Sequence, residues 1–255
     1  MNNEQPTTDN RQPTTAVGVV KQLYRYPVKS MRGEALETAR VWWQGVEGDR
    51  RFAFVCSDDR SSFPWLTGRD VPALIRYVPS FIEPTSPVES PVRVHTPEGR
   101  DVALESEELR AELMAQHGGP IHLIQLGRGT FDSAALSLIS TTTLQALGHI
   151  AQRDLDPRRF RPNILVDLFD LQQNEDDWVG GVLRFGDRAD SAQMRVDRKD
   201  QRCMMLNLDP ETARQTPEAL RAVVSTRANC AGVYGTPVQT GTVRVGDYVY
   251  LEGKR

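Results

Sequence analysis

Apolar residues recur with period two in short runs over the first half of the chain, at 17–24, 35–43, 51–56, 73–78, 92–95 and 102–104. That alternation predicts strands with one buried face. In 51–56, Phe52, Phe54 and Cys56 alternate with Arg51, Ala53 and Val55, and Pro97-Glu98-Gly99 places a turn between two strands. The period changes after Ser106, where an N-cap serine is followed by Glu107 and Glu108, then Leu109, Leu113 and Met114 at helical spacing, with Gly118-Gly119 as the stop. The stretch 121–126 reads as a strand, and Ser140 or Thr141 caps a second helix carrying Leu144, Leu147 and Ala151. Further strands are predicted at 164–168, 182–185, 193–196, 204–208, 232–238 and 242–251, with a short helix over 217–224. Many short strands punctuated by Gly and Pro point to barrels rather than a βαβ sheet.

The fold class expected is therefore mainly β with a few helices (α+β), built as two fused β-barrel-like modules. Residues 1–15, rich in Asn, Gln, Thr and Pro, have almost nothing to bury and predict a disordered tail. The modules are expected at 16–126 and 127–253. At 255 residues, either one large or two small domains fit.

Composition narrows the function. No run of about 18 apolar residues occurs, and the N-terminus has neither a basic nor an apolar signal region, so a cytoplasmic chain without membrane association is expected. A net charge of −3 disfavours nucleic-acid binding by a global positive field. Arginine outnumbers lysine 27 to 4, which codon bias explains for the most part. Cys56, Cys203 and Cys230 are too few for an iron–sulfur cluster and fit a reducing compartment. His95, His117, His122 and His149 show no zinc spacing. Nucleotide-binding glycine signatures and the hydrolase serine elbow are missing from the sequence.

Three places carry candidate chemistry. Tyr26-Pro27-Val28-Lys29-Ser30 follows the first strand and offers an ammonium and a hydroxyl to a phosphate, although an isolated pentapeptide of this kind is more often a plain strand end. Asp49-Arg50-Arg51 precedes an alternating strand; a surface pair is the default reading. Arg158-Arg159-Phe160-Arg161-Pro162-Asn163 gathers three guanidinium groups, suited to a phosphate or a polar heterocycle, and on composition alone is a solvated basic loop. Cys203 lies among Arg198, Lys199 and Arg202, where positive charge favours the thiolate, with Asp197 and Asp200 partly offsetting it.

Taken in order, these segments with Gly33, Gly48, Glu175-Asp176, Trp178, Arg202-Cys203, Asp209-Pro210, Gly232-Val233-Tyr234 and 241–249 resemble MOSC proteins, the earlier blocks the MOSC N-terminal β-barrel domain and the later ones the MOSC domain. The likeness covers nearly all of 17–251. It extends to the branch that includes the mitochondrial amidoxime reducing component, and it implies a molybdenum cofactor of molybdopterin type, mononucleotide or dinucleotide, with Cys203 as metal ligand and catalytic residue. Lys29, Ser30, Arg50, Arg161, Asn163 and Arg202 match its cofactor-binding positions, and Asp132 and Ser133 match more weakly. The implied activity is reduction of small N-hydroxylated or N-oxide substrates with electrons from a separate donor, such as a ferredoxin-type or flavin reductase. The alternative is a cofactor carrier or sulfur-transfer protein using Cys203. Pyridoxal phosphate is a family association only; with no domain for it in the sequence, the chain would not mobilise sulfur alone. Lys199, Asp200 and Gln201 depart from the family pattern and predict a more polar approach to the metal. Ala213 stands where Gly is common, and Cys230-Ala231 replaces a common Phe.

Overall fold

The computed structural model describes residues 15–127 and 134–253. Its first half runs β1 (Thr15–Arg25), β2 (Glu34–Leu36), β3 (Thr38–Trp42), β4 (Gly45–Val46), β5 (Phe52–Cys56), β6 (Val78–Phe81), β7 (Val92–His95), β8 (Asp101–Ala103), helix α1 (Glu107–His117) and β9 (Ile121–Gln125). The second half runs β10 (Leu136–Ser140), α2 (Thr141–Ala151), β11 (Ile164–Leu168), β12 (Val182–Phe185), β13 (Gln193–Gln201), α3 (Glu218–Arg227), β14 (Cys230–Gln239), β15 (Gly241–Arg244) and β16 (Tyr248–Glu252). The protein is mainly β with three α-helices among the described residues.

Strand order β11-β10-β14-β13-β12-β16-β1, with β11 pairing back onto β1, closes a seven-stranded barrel. Closure removes free strand edges and lets inward side chains form one core, here Val20, Leu138, Val166, Leu183, Met194, Val233 and Val249 among others. Its first strand comes from the N-terminal end of the chain, so the barrel is not contiguous in sequence. A second core lies under β5, the β6-β7-β8 sheet and α1, and a third joins α2 to α3. The β15–β3 pairing ties the chain's last strands to its first half.

Local signals explain the helices. Ser106 accepts from Leu109 N and Ser140 from Thr143 N, each filling an otherwise orphaned donor of the first turn. Several predicted strands differ. The run 73–78 is a 3₁₀ helix (Pro72–Arg76) followed by β6, because a proline at the first position fits a helical start and cannot donate to a ladder. The run 204–208 is also a 3₁₀ helix, Met204–Asn207; a short apolar stretch does not fix its own period. The stretch 35–43 divides into β2 and β3, and 242–251 into β15 and β16 at a turn containing Gly246. Strand β1 includes Thr15, the last residue of the expected tail; the rest of that tail lies outside the described residues. Among the described residues no helix is long and apolar enough to cross a membrane.

One buried carboxylate braces the barrel against α2. Glu175, fully buried, accepts hydrogen bonds from Ser140 Oγ, Thr143 Oγ1 (2.8 Å) and Gly232 N (3.0 Å), with Arg227 at 3.9 Å. Gly232 has φ +80°, and a Cβ there would meet Leu138 O at 2.7 Å, so β14 can lie this close to β10 only with glycine at this position. Glu175→Ala should destabilise the protein by about 3–5 kcal/mol, the scale for orphaning partners of a buried charge. Denaturant melts test this; a loss below about 1 kcal/mol would show that the hydroxyls find other partners.

Candidate functional site

Three segments distant in sequence meet beside the end of β1. The backbone leaving β1 pairs briefly with the start of β5, through Lys29 N to Phe52 O (2.8 Å) and Phe52 N to Pro27 O (3.1 Å). This places Lys29 and Ser30 in buried positions. Arg50 is anchored by its backbone N–H on Tyr26 O, and its guanidinium donates to Asp49 and to Arg161 O (3.1 Å). Arg161 reaches back from the second half to Met31 O (2.7 Å). The ring of Tyr26 lies beneath both guanidinium groups, 4.7 Å from Arg50 Cζ and 4.3 Å from Arg161 Cζ.

Backbone conformation singles out the same residues. Seven non-glycine residues among those described have left-handed φ. Gln152 and Ala228 are the C-caps of α2 and α3, Asn229 follows Ala228, and Ala213 occupies a turn closed by Ala213 N to Asp209 O (2.8 Å). The other three are Ser30 (φ 65°), Arg50 (φ 47°) and Arg161 (φ 51°). Arg161 also precedes Pro162, which favours extended backbone at the residue before it. Such conformations cost on the order of 1–3 kcal/mol each and cluster at ligand clamps. Ala213 shows the same geometry that glycine adopts without strain.

Electrostatics keep Arg50 charged. Burial works against the charge of Arg50, but Asp49 and Tyr26 outweigh it and raise its pKa. Burial also pushes the Tyr26 phenol well above its ordinary range, against the opposing pull of Arg161 and Arg50, so it stays neutral. Asp49-Arg50 is therefore not the surface pair its sequence suggests: the Asp49 carboxylate is wholly buried, bonded to Tyr26 N (2.7 Å) and Arg50.

Arg202 and Asn163 play a different part. All three arms of Arg202 go to protein groups: Nε to Ala231 O (2.7 Å), Nη1 to Phe160 O (2.7 Å) and Nη2 against Asp200 Oδ2 (2.7 Å). Arg202 thus fixes the residue before Arg161 relative to the residue before Cys203. Asp200 is buried as its counter-ion and does not line an open approach, unlike the exposed Lys199 and Gln201. Lys199 is itself paired with Asp176 at 3.0 Å. Asn163 accepts from Ser137 N (3.1 Å) and donates to Tyr24 O (3.3 Å), stitching the barrel at the β1 and β10 junction. Asp132 and Ser133 lie outside the described residues.

Cys203 is exposed and extended at the start of the 3₁₀ helix, and its side chain caps nothing. Cys56 is partly buried, and burial together with Asp70 and Asp59 raises its thiol pKa, which keeps it protonated. Among the described residues no three His, Cys, Asp or Glu side chains are grouped to hold a metal ion by themselves.

A latch closes the flank. Arg32 donates to Pro210 O (2.6 Å) and Glu211 (2.8 Å), and Glu211 also takes Arg158 (2.6 Å). The hydrogen bonds from Arg32 and Arg158 hold the Glu211 carboxyl below its usual range. A folded-state pKa below the unfolded one adds stability that is complete above the ordinary carboxylate range and is lost as pH falls through the depressed value. Glu211→Gln should therefore flatten the acid limb of the melting profile by less than about 1 kcal/mol, since the pair is solvent-exposed. An unchanged acid limb would dismiss the latch as a contributor.

Asp49, Tyr26 and Asp200 join the site; the sequence places Tyr26 and Asp49 inside the candidate segments and Asp200 near Cys203, but assigns none of them a binding role. The MOSC N-terminal beta barrel domain matches residues 17–123 and the MOSC domain matches residues 115–250. Mitochondrial amidoxime-reducing component 1 from Homo sapiens is 25% identical, the alignment covering 97% of this chain and 87% of that protein. Its counterpart from Mus musculus is 25% identical over 93% and 83%. The crystal structure of the YuaD protein from Bacillus subtilis superposes with a TM-score of 0.51 at 11% identity, covering 95% of this chain and all of that one, a likeness of fold. With the domain match spanning more than half of its length, the chain belongs to the MOSC family, carrying a MOSC N-terminal barrel domain ahead of a MOSC domain.

Proposed function

We propose that the protein is a molybdenum-cofactor-dependent oxidoreductase that reduces small N-hydroxylated or N-oxide compounds with electrons from a separate donor. The observation that carries the reading is the link between an exposed thiol and a strained cationic cluster: Arg202 joins the strand end bearing Cys203 to the turn bearing Arg161, beside Arg50, Lys29 and Ser30. This donor set fits the cofactor. Lys29, Arg50 and Arg161 suit its phosphate, and Cys203 offers the soft ligand that molybdenum chemistry takes. Bound there, the cofactor would supply two-electron redox chemistry at a metal. The chain's own residues would hold and orient it: the arginines would take the phosphate end and Cys203 the metal, while Arg202, paired with Asp200, braces the segment bearing Cys203 against the one bearing Arg161. For a hydroxylamine the balance is R–NH–OH plus two electrons and two protons giving R–NH₂ and water. The names of the curated relatives support a reductive role.

Three cysteines and no nucleotide-binding signature in the sequence support a need for an outside donor. The test is metal and pterin analysis of protein from a cofactor-competent host, followed by assay on a panel of hydroxylamine, amidoxime and N-oxide compounds. Stoichiometric molybdenum with turnover driven by a small strong artificial reductant, and none with NADH unless a ferredoxin-type or flavin reductase is added, is the expected result. Metal-free protein that accepts labelled sulfur on Cys203 would replace this reading with the carrier, and robust NADH turnover by the chain alone would remove the partner.

A further inference from the structure

Arg50 and Arg51 are neighbours in sequence but serve different places. The Arg50 guanidinium turns to Asp49, Arg161 O and the Tyr26 ring, as described above. That of Arg51 turns instead to Pro87 O (2.6 Å) and to the Gln125 amide oxygen, 3.2 Å from its Nε. The backbone that carries Arg51 is held by Leu126 N–H on Arg51 O (3.0 Å) and by the pairing of Phe52 with Gln125.

Beside Arg51 lies an open cleft of about 340 Å³, between the β3–β4 hairpin, the loop bearing Val88 and the end of β9. Trp42, Val46, Val88 and Leu126 give it apolar walls, and its size lies within the range of small-molecule sites. Trp42 is 41% exposed and Val88 52% exposed, apolar surface that a ligand would take out of water. The Trp42 ring is already oriented, with Nε1 on Glu47 (3.2 Å) and Arg40 Cζ 5.2 Å from the ring centre.

Arg51 is the charged group of this wall with donors to spare. A guanidinium has five N–H groups. One goes to Pro87 O and two to the Gln125 oxygen, which leaves one on each terminal nitrogen. Both acceptors are neutral; partial burial works against the charge of Arg51, and Glu89 only partly offsets this. The two acids of the wall are committed elsewhere. Asp49 is buried on Tyr26 N and Arg50, and Glu47 accepts from Trp42 and lies 3.7 Å from Arg40.

We propose that this cleft binds a small carboxylate with a flat apolar body, the carboxylate on Arg51 and the body against Trp42, Val88 and Leu126. The remaining N–H groups on the two terminal nitrogens match the two oxygens of a carboxylate. The site is built on Arg51 and not on the residues assigned to the cofactor, so it stands or falls apart from the proposed reaction.

The experiment titrates the metal-free protein with 2-naphthoate by calorimetry, with 2-naphthylmethanol and acetate as comparison probes. The proteins are the wild type, Arg51→Gln, Val88→Asp and Arg161→Ala, each checked for its melting temperature. One naphthoate should bind per chain, the neutral alcohol about tenfold or more weakly, and acetate, which has no ring, without detectable heat. Arg51→Gln should weaken naphthoate about tenfold, and Val88→Asp should weaken it about threefold or more by setting a like charge on the wall. Arg161→Ala should stay within about twofold of the wild type, because its guanidinium belongs to the neighbouring site. If Arg51→Gln does not fold, the exposed Val88→Asp decides. No naphthoate binding by the wild type overturns the site, as does wild-type affinity in the folded Arg51→Gln and Val88→Asp proteins. Equal affinity for the acid and the alcohol overturns carboxylate recognition, and loss of binding in Arg161→Ala would move the naphthoate to the neighbouring site.

Discussion

Cys203→Ser should abolish reduction of N-oxygenated compounds and alter the metal's spectroscopic signature while leaving the fold unchanged. Cys203 is exposed, its backbone is extended and its side chain caps no helix, so replacing it with serine disturbs neither the buried core nor a helix cap. A serine hydroxyl is a harder donor than a thiolate and far less acidic than a thiol, so the metal would lose its protein ligand on the exchange. Outer-shell changes at metal sites already cost roughly 10- to 100-fold, so loss of the ligand itself should exceed that range in turnover. The other thiols provide the contrast. Cys56 is partly buried with a raised pKa, and Cys230 is partly buried at the start of β14. Cys56→Ser and Cys230→Ala should cost about 0.5–3 kcal/mol of stability, the ordinary range for core changes, and leave the metal signature alone. Electron paramagnetic resonance of the partly reduced protein with parallel turnover assays checks all three, and an unchanged signature in Cys203→Ser would remove the cysteine from the metal.

Some of this architecture is legible in the sequence, and the reasons are local. Ser106 and Ser140 are side chains whose capping chemistry acts within three residues, so the starts of α1 and α2 could be read directly. Alternation in 51–56 marked β5 because one face of that strand packs on a core. Barrel closure was not legible: the pairing of β1 with β11 joins residues about 150 positions apart, and no periodicity reports a partner. The Met204–Asn207 turn departs from the predicted strand because the short, mostly apolar run 204–208 carries no period of its own.

The site divides in the same way. Lys29, Arg50, Arg161 and Cys203 are singled out by the ordered MOSC-like blocks, whereas residue type alone leaves the first three as a strand end, a surface pair and a solvated loop. That Ser30, Arg50 and Arg161 share left-handed backbone could not, since none is glycine and the strain is imposed by tertiary contacts. Asp49 and Asp200 were hidden for a related reason. A carboxylate next to an arginine in sequence reads as surface charge, and only burial reveals that Asp49 sustains Arg50 and that Asp200 holds Arg202. Binding and bracing therefore separate within one motif: Arg161 is a candidate ligand, whereas Asn163, two residues on, has its amide committed to Ser137 and Tyr24.

Arg161 allows binding and backbone strain to be measured apart. Its guanidinium contacts Met31 O and the Tyr26 ring, and its φ of 51° precedes a proline. A hydrogen bond to a charged group is worth roughly 1.5–3 kcal/mol, so Arg161→Ala should weaken cofactor retention on the order of 10- to 150-fold. Arg161→Lys should not restore it, because a planar fork that can grip two phosphate oxygens becomes a single point charge. Arg161→Gly should lose retention as fully as the alanine variant. It should nonetheless be the more stable of the two by about 1 kcal/mol, since glycine takes up left-handed backbone without the strain that alanine retains. The measurements are pterin content after gel filtration and denaturant melts of the metal-free proteins. Equal stability of the alanine and glycine variants would show that the left-handed turn stores no strain, and normal pterin content in both would return Arg161 to a purely structural place between Met31 and Tyr26.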